Sequence, residues 1–399
     1  MFQRNEYLKQ LINVKDKDII KVVCGVRRSG KSTLFEIYQN YLLENGVGKK
    51  QIQKINFEEL DNENLLEYKK LYEHIKKNLV DGKRNYVLLD EVQQVKDFQK
   101  TVDSLHIKKN VDIYITGSNS HLLSGELSTL ISGRYIEIKM LPLSFKEYVS
   151  TFGEQRDLSG KFKNYLIDSS FPYALEIKDK KAHRDYLMGI YNSVIVKDIA
   201  QRQKISDISM LDSIAKFMAD NVGNICSIKK ISDTMTSAGR KISTHTAESY
   251  IKALEDSYIL YKAQRYDVKG KAHLKINDKY YFVDMGLRYA LLGTQKVDMG
   301  RMLENVVYLE LLRRGYEVSI GKIGAREVDF VVANNGNIQY YQVAQTTRDK
   351  KTLERELAAL NDIADHNEKY LLTLDEDPEI SYNGIKKINA LDWLLWDMR

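Results

Sequence analysis

The feature that most constrains this chain is a short glycine-bearing segment, Gly25-Val26-Arg27-Arg28-Ser29-Gly30-Lys31-Ser32. It follows the apolar, β-branched run Ile19–Cys24 and precedes a helical pattern that begins at Thr33. A strand, a glycine-rich loop and a helix in this order let backbone N–H groups wrap phosphate oxygens, because glycine leaves no side chain in the way. The pattern therefore predicts a P-loop, although a surface turn could match it by chance.

A P-loop gives its residues distinct roles. The ammonium of Lys31 would reach the β- and γ-phosphates of ATP, and the hydroxyl of Ser32 would ligate Mg²⁺. Because Arg27 and Arg28 lie inside the loop, we expect at least one of them to contact a phosphate. The sequence thus predicts ATP and Mg²⁺ as ligands, with nucleotide contacts from Gly25, Val26, Arg27, Arg28, Ser29, Gly30, Lys31, Ser32 and Thr33.

A second apolar run ends in two carboxylates. Tyr86-Val87-Leu88-Leu89 is followed directly by Asp90 and Glu91. A strand tip would place Asp90 beside the magnesium ion and Glu91 where it can polarise an attacking water molecule. Two such motifs in this order rarely coincide by chance. Lys31 and Glu91 are therefore predicted catalytic residues, and Ser32 and Asp90 are the predicted metal ligands.

Small polar residues end the next apolar run, which reads Ile115-Thr116-Gly117-Ser118-Asn119-Ser120. Ser118 or Asn119 could hold the attacking water or sense the γ-phosphate. Alternatively, Thr116 and Ser120 could merely cap the following helix. A position between nucleotide-binding strands favours a functional role for Ser118 and Asn119, and we include Asn119 among the predicted catalytic residues.

Arg134 precedes the fifth predicted strand. A guanidinium there could act as an arginine finger on the γ-phosphate of a neighbouring subunit, stabilising charge that develops during phosphoryl transfer. An exposed arginine with no specific role is the alternative. The functional interpretation predicts a homo-oligomer with Arg134 as a catalytic residue.

Hydrophobic periodicity indicates more than one folded region, as expected for 399 residues. Short β-branched runs alternate with amphipathic stretches over the first 150 residues or so, the pattern of parallel strands joined by crossover helices. Five strands are predicted: Ile19–Cys24, Lys54–Phe57, Tyr86–Asp90, Asp112–Thr116 and Tyr135–Met140.

Three helices and a hairpin follow a helical stretch. The helices are predicted at Leu211–Asn221, Ile228–Ala238 and Thr244–Ser257, and the strands at Leu260–Tyr266 and Leu274–Val283. This order favours a winged helix-turn-helix, in which the third helix enters the DNA major groove and the wing lies on the backbone. A protein-contact surface is the alternative, given carboxylates nearby. The predicted DNA contacts are Lys241, His245, Lys269 and Lys271.

Composition fits a globular protein of the cytoplasm. Hydrophobic residues make up 43% and charged residues 29% of the chain, and no apolar run is long enough to cross a membrane. The N-terminus lacks the apolar core of a secretory signal, and Cys24 and Cys226 are expected to be free thiols. A net charge of +6 permits contact with nucleic acid without requiring it.

With these residues in view, the chain resembles a large prokaryotic family of AAA+-like P-loop ATPases that carry an uncharacterised C-terminal domain. The resemblance extends through nearly the whole chain. It implies a five-stranded nucleotide domain, a winged-helix middle and a nuclease-like end. The segments that carry it are Gly25–Thr33, Leu88–Gln93, Ile115–Ser120, Gly133-Arg134-Tyr135 and Leu141-Pro142-Leu143-Ser144-Phe145-Lys146-Glu147-Tyr148.

The C-terminal segment resembles the PD-(D/E)XK nuclease core, in which carboxylates on a helix and two strands gather magnesium beside a lysine. Glu304 stands at the position of the helix acid, and Asp329 at that of the strand acid. Where an acid-x-lysine motif is expected, the chain reads Gln342-Val343-Ala344-Gln345. Amides are weak metal ligands and Gln345 carries no positive charge, so we predict a non-catalytic core in which Glu304 and Asp329 either retain a metal or serve packing.

The predicted fold class is α/β. It consists of a P-loop ATPase domain at 1–144, a helical lid or connector at 145–204, a winged-helix domain at 205–293 and a nuclease-like domain, expected to be inactive, at 294–399. The main functional hypothesis is an ATPase that couples hydrolysis to remodelling of DNA or a DNA–protein complex. The alternative is a nucleotide-dependent switch that recognises a protein partner, without nuclease activity.

Overall fold

The computed structural model describes residues 2–118, 133–153, 157–201, 205–293, 298–334 and 336–396, with the backbone alone at 275–277. The chain divides into two compact units. The first comprises Met1–Pro142 with Asp256–Tyr258, and the second comprises Leu143–Glu255 with Ile259–Arg399.

A five-stranded parallel sheet forms the centre of the first unit. Its strand order is β2-β3-β4-β1-β5, and every adjacent pair is parallel. All five predicted strands are confirmed, with ends shifted by at most two residues. Their bounds are β1 Ile20–Cys24, β2 Ile52–Asn56, β3 Asn85–Asp90, β4 Val111–Gly117 and β5 Tyr135–Lys139.

Helices cover both faces of this sheet because alternate side chains of a strand point to opposite faces. Val22 packs into the core that includes residues of α3 and α4, whereas Val23 packs with residues of α1 and α2. Each fully buried aliphatic side chain contributes about 1.5–3 kcal/mol of transfer free energy. The helices are α1 Asn5–Asn13, α2 Lys31–Glu44, α3 Tyr68–Lys77 and α4 Phe98–His106.

The strand order determines which loops meet. Since β4 lies between β1 and β3, the residues that follow β4 stand between those that follow β1 and those that follow β3. All three strands are parallel, so their carboxyl ends share one edge of the sheet. This edge is where ligands bind in open α/β sheets.

The second unit begins with helices. Capping is clear at α5, where the Ser144 hydroxyl accepts from Glu147 N and the Glu147 carboxylate accepts from Ser144 N. A π-helix, Val194–Gln201, follows α7 directly. The helices are α5 Phe145–Ser150, α6 Leu158–Asp168 and α7 Lys180–Ser193.

The elements on which the winged-helix prediction rests occur in the predicted order. The hydroxyl of Ser227 caps the second helix by accepting from Lys230 N, as its position in the sequence indicates. The bounds are α8 Ile208–Asp220, β6 Ile225–Cys226, α9 Ile228–Ser237, α10 Thr244–Asp256, β7 Leu260–Asp267, β8 Ala272–Phe282 and α11 Met285–Leu292.

The hairpin of β7 and β8 belongs to a larger sheet. Nine strands follow the order β13-β14-β12-β11-β10-β9-β7-β8-β6, and β7 pairs in parallel with β9 through Arg265–Asp267 and Ile320–Lys322. The sequence does not reveal this continuity. The remaining bounds are α12 Met299–Arg313, β9 Glu317–Ile323, β10 Arg326–Asn334, β11 Asn337–Ala344, α13 Lys350–Asn361, β12 Glu368–Thr373, β13 Ile380–Tyr382, β14 Ile385–Asn389 and α14 Ala390–Leu395.

Two further expectations concern single features. Cys24 and Cys226 are both free and buried, as predicted. Among the helices in the described ranges, none has both the length and the apolar character needed to cross a bilayer.

Candidate functional site

The loop between β1 and α2 has a backbone that requires glycine. A Cβ added at Gly25 would lie 2.1 Å from the carbonyl oxygen of Met140, a distance that no side chain tolerates. Gly30 has a φ of 98°, in the left-handed region that glycine adopts without strain, and it precedes the first residue of α2. The two glycines therefore let the chain turn sharply from the buried strand into the amino end of the helix, where N–H groups are free to bind anions.

Lys31 lies at that helix start with 4% of its surface exposed. Its Nζ donates to the carbonyl oxygens of Gly25 at 3.0 Å and Val26 at 3.1 Å. The same Nζ lies 3.7 Å from Oε1 of Glu91. The ammonium thus folds back over the loop and bridges it to the tip of β3.

Asp90 ends β3 and is fully buried. Its Oδ1 accepts a hydrogen bond from the hydroxyl of Thr116, the last residue but one of the neighbouring strand β4. The same hydroxyl accepts from the backbone N–H of Glu91 at 2.9 Å. Burial raises the pKa of Asp90, and the hydroxyls of Ser32 and Thr116 oppose that rise.

Thr116 belongs to this site, a position that the sequence interpretation missed. Its hydroxyl links Asp90 at the end of β3 to the backbone of Glu91. The segment that it was alternatively expected to cap lies outside the described residues. The available signal was a hydroxyl at the tip of a strand next to the one that carries Asp90. Ser120 lies outside the described residues.

Glu91 has a φ of 52° and a side chain that is almost completely buried. Its Oε2 accepts a hydrogen bond from the side-chain amide of Gln93. Burial alone would raise the pKa of Glu91, but the positive charge of Lys31 and the Gln93 hydrogen bond hold it below its usual value. The carboxylate is therefore ionised at neutral pH and able to accept a proton.

The residues predicted to hold Mg²⁺ fit that ion. Oδ2 of Asp90 is buried and has no hydrogen-bond partner within 3.5 Å among the described residues. Ser32 is exposed on the first turn of α2, and its hydroxyl lies near enough to Asp90 to lower the pKa of that carboxyl. A hydroxyl and a carboxylate oxygen are the hard oxygen donors that Mg²⁺ takes, together with phosphate oxygens.

The remaining predicted loop contacts differ in exposure. Nη1 of Arg27 forms an ion pair with Oε1 of Glu58 at 2.8 Å, whereas Arg28 is exposed and has a φ of 68°. The side chains of Val26 and Ser29 are fully buried, and the backbone N–H of Ser29 donates to the carbonyl oxygen of Val26 at 3.3 Å.

Of the two predicted residues that follow β4, Ser118 is described by the structure and Asn119 is not. Ser118 is fully buried and lowers the pKa of Glu91, so it stands beside the carboxylate that would activate water. Asn119, the predicted catalytic residue of this pair, lies outside the described residues.

Arg134 lies at the opposite edge of the sheet from the loop of its own chain. Ile20, the first residue of β1, pairs with Tyr135, whereas Cys24, the last one, pairs with Lys139. Arg134 is thus level with Ile19, six residues before Gly25, and at about 3.3 Å per residue the strand separates it from the start of the loop by about 20 Å. Its side chain is 54% exposed and lies 3.4 Å from Asp103.

The basic residues near the hairpin fall into two groups. Lys241, His245, Lys269 and Lys271 are exposed. By contrast, Arg240 donates to the hydroxyls of Ser209 and Ser213, and Lys262 pairs with Asp278 at 2.7 Å. Arg240 and Lys262 are exposed as well, but their cationic groups bond to these residues of the same chain. The four residues predicted to contact DNA make up the first group.

In the second unit, the predicted nuclease acids surround a lysine. Nζ of Lys279 on β8 lies 2.9 Å from Glu304, 2.7 Å from Glu327 and 3.7 Å from Asp329. Burial, together with the charge of Glu304, raises the pKa of Asp329 to about 8. Burial alone would lower the pKa of Lys279, but the three neighbouring acids raise it above its usual value.

Lys279 was also missed by the sequence interpretation, since it precedes the three acids and lies in the hairpin. Gln342 has a structural role in this region. Its Oε1 accepts from Asp329 N at 3.3 Å, and its Nε2 donates to Glu356 at 2.8 Å. Gln345 is exposed. No group of three or more His, Cys, Asp or Glu side chains in the described part of the chain is arranged to hold a metal ion.

Two protein-family models match the chain. An AAA domain matches residues 17–149, and a domain of unknown function, DUF8612, matches residues 159–298. The first match and the five-stranded parallel sheet confirm the predicted P-loop nucleotide-binding fold. The winged-helix and nuclease-like assignments stay predictions.

Relatives extend over nearly the whole chain. An uncharacterized protein of Haemophilus influenzae is 40% identical over 399 residues, which is 99% of each chain. An uncharacterized protein of Methanocaldococcus jannaschii is 27% identical over 394 residues, covering 94% of this chain and 85% of its own.

Similar solved structures include DNA complexes. The Aeropyrum pernix ORC1 protein in complex with DNA covers 73% of this chain and 92% of its own, at 10% identity and a TM-score of 0.33. Drosophila ORC bound to AT-rich DNA and Cdc6 covers 74% of this chain and 93% of its own, at 12% identity and a TM-score of 0.27. Scores this low carry no conclusion about function.

Proposed function

This chain belongs to the same protein family as the Haemophilus influenzae protein and carries an AAA domain at residues 17–149, and on that premise we propose that it binds and hydrolyses ATP to remodel DNA or a DNA–protein complex. The observation that supports hydrolysis is the meeting of Lys31, Asp90 and Glu91 at one edge of the sheet, with the Thr116 hydroxyl joined to both carboxylate residues.

Each side chain has a defined task in this proposal. Lys31 exchanges its two backbone carbonyl partners for the β- and γ-phosphate oxygens, which carry more charge and bind an ammonium more strongly. Glu91 orients the attacking water and accepts its proton. Asp90 and Ser32 would hold Mg²⁺, which neutralises the charge that develops on the phosphates.

Arg134 acts on a neighbouring subunit in this proposal. Its exposure and its distance from the loop of its own chain favour contact in trans over contact in cis. A guanidinium supplied across an interface would complete the site only in an assembled oligomer. Hydrolysis per chain should therefore rise with protein concentration and lose that dependence in Arg134→Ala.

DNA contact is the second part of the proposal. It is supported by the exposure of Lys241, His245, Lys269 and Lys271 around the third helix and the hairpin turn. Lysines on DNA phosphates release counterions, so each one that contacts DNA steepens the salt dependence of binding.

One experiment tests both parts. ATP hydrolysis is measured without DNA and with single-stranded, duplex and branched DNA, for the wild type and for Lys241→Glu/Lys269→Glu/Lys271→Glu. A control variant, Lys180→Glu/Lys350→Glu/Lys351→Glu, carries the same charge change at other exposed positions of the second unit. Stimulation that only the first variant loses would support remodelling of DNA.

The rival function is a nucleotide-dependent switch that recognises a protein partner. It predicts ATP hydrolysis that no DNA stimulates, and DNA binding that the two charge-reversal variants weaken equally. That result would refute the DNA part of the proposal while leaving ATP hydrolysis in place.

A further inference from the structure

The second unit contains a cluster of three acidic side chains and one ammonium that nucleotide hydrolysis does not use. Lys279, Glu304 and Asp329 are buried, and the side chain of Glu327 is 27% exposed. The acids come from two elements, with Glu304 on α12 and both Glu327 and Asp329 on β10. The ammonium comes from Lys279, which lies on β8 and belongs to the predicted winged-helix region. Four side chains that are up to 50 residues apart in sequence thus converge on one point.

The contacts of Lys279 are those of a cation in a carboxylate site. Its Nζ lies within 3 Å of Oε1 of Glu304 and of Oε1 of Glu327, and 3.7 Å from Oδ1 of Asp329. A lysine ammonium has three donors, which is one for each of these carboxylates. A divalent metal ion would need carboxylate oxygens at about 2.0–2.6 Å around the same point. The ammonium therefore fills the space in which such an ion would stand.

The backbone holds Lys279 at this position. It pairs with Ala263 of β7 on one side and with Ile225 of β6 on the other, so β8 cannot slide away from the acids without breaking two strand pairs. The side chain of Asn305, next to Glu304, accepts from Phe282 N at 2.7 Å and donates to Phe282 O at 2.8 Å. Helix α12 is thus bonded to β8 by its side chains.

A tyrosine takes part in the same arrangement. The hydroxyl of Tyr281 donates to Oε1 of Glu304 at 2.7 Å, the oxygen that also accepts from Lys279. The ring of Tyr281 stacks on Tyr308 with 4.0 Å between centroids, which fixes the hydroxyl. Since Glu304 Oε1 already has two donors, it would have to exchange them to bind a metal ion.

We propose that Lys279 is the resident cation of the Glu304, Glu327 and Asp329 cluster, where it takes the place of a divalent metal ion and commits this unit to a metal-independent, non-catalytic state. Removal of the ammonium with retention of the side-chain volume should then create a metal site that the wild type lacks.

The test counts Mn²⁺ ions bound per chain by electron paramagnetic resonance in full-length, nucleotide-free protein. Variants are Lys279→Met, Lys279→Arg and Lys279→Met/Asp329→Asn. Any Mn²⁺ at the P-loop is common to all of them and cancels in the comparison. We expect Lys279→Met to bind one more Mn²⁺ ion per chain than the wild type. Lys279→Arg and Lys279→Met/Asp329→Asn should bind the same number as the wild type. A folded Lys279→Met variant with no additional ion would overturn the proposal.

A second comparison decides the question if Lys279→Met does not fold. Asp329→Asn in the wild-type background keeps Lys279 and replaces the carboxyl by an amide of the same shape. The proposal requires an unchanged Mn²⁺ count. A lower count, or Mg²⁺-dependent cleavage of DNA that the wild type shows and Asp329→Ala loses, would mean that the cluster binds metal with Lys279 in place.

Discussion

Lys31 in the first unit and Lys279 in the second are both almost completely buried, but their surroundings differ. Nζ of Lys31 donates to two backbone carbonyls and faces one carboxylate at 3.7 Å. Nζ of Lys279 faces three carboxylates, two of them within 3 Å. The first lysine stands at the start of a helix beside a glycine loop, whereas the second stands on β8, between β7 and β6 of the nine-stranded sheet.

The difference teaches how a buried ammonium becomes available to a ligand. Neutral carbonyls hold Lys31 with hydrogen bonds in which only the ammonium is charged, and anionic phosphate oxygens can replace them with stronger bonds in which both partners are charged. Three carboxyl groups hold Lys279, and removing it would leave the ionised ones without a counter-charge in the interior. A ligand can displace the partners of Lys31, but the partners of Lys279 are themselves the reason that its charge is stable in the interior.

The largest expected effect separates the two lysines by function. Lys31→Ala should abolish ATP hydrolysis because the β- and γ-phosphates lose their ammonium. Lys279→Met should instead reduce the free energy of unfolding, by about 3–5 kcal/mol, because the ionised carboxylates of the cluster lose their counter-charge. Steady-state ATP hydrolysis measures the loss of activity in both variants, and urea unfolding measures the loss of stability. Comparable loss of hydrolysis in a folded Lys279→Met variant would remove the distinction.

Glu91→Gln should uncouple binding from turnover. The amide keeps the shape of the side chain and its place beside Lys31, so ATP should still bind, whereas hydrolysis should fall by about 10²-fold or more because no base remains. Fluorescent-nucleotide binding and phosphate release report the two quantities separately. Normal turnover in this variant would show that another residue is the base.

Thr116→Val should have an intermediate effect. The substitution keeps the branched shape but removes the hydroxyl that joins Asp90 to the backbone of Glu91. We expect hydrolysis to fall by about 10-fold, as when an outer partner of a metal ligand is lost. The Mg²⁺ concentration for half-maximal rate should rise with it. Thr116→Ser, which retains the hydroxyl, is the control and should stay near the wild-type rate.

The smallest expected effect is a pH dependence in the Lys279 cluster. Because the pKa of Asp329 is raised to about 8, the folded protein holds a proton that the unfolded chain releases near pH 4. The free energy of unfolding should therefore fall as the pH rises from about 4 to about 8. Asp329→Asn should flatten this decline in urea unfolding across that window. An equal decline in both proteins would assign it to another group.

The nucleotide site was predictable in its main parts because its motifs are local. Gly25, Lys31 and Ser32 follow one strand within a few residues, and Asp90 and Glu91 end another. Parallel strands bring their carboxyl ends to one edge, so the sequence also predicted that the two motifs meet. Arg134 was predictable only as a residue before a strand. Its position at the opposite edge required the pairing of Ile20 with Tyr135.

The five parallel strands, the glycine loop and the loss of the acid-x-lysine motif could all be predicted before the structure, since each depends on residues that are neighbours along the chain. Only the tertiary structure shows that the hydroxyl of Thr116 bonds to Asp90 and Glu91, and that Lys279 lies among the three acids. Lys279 reaches Glu304 because β7 and β9 pair and extend one sheet through both regions. Contacts between distant segments follow from strand order and packing, and no periodicity within either segment records them.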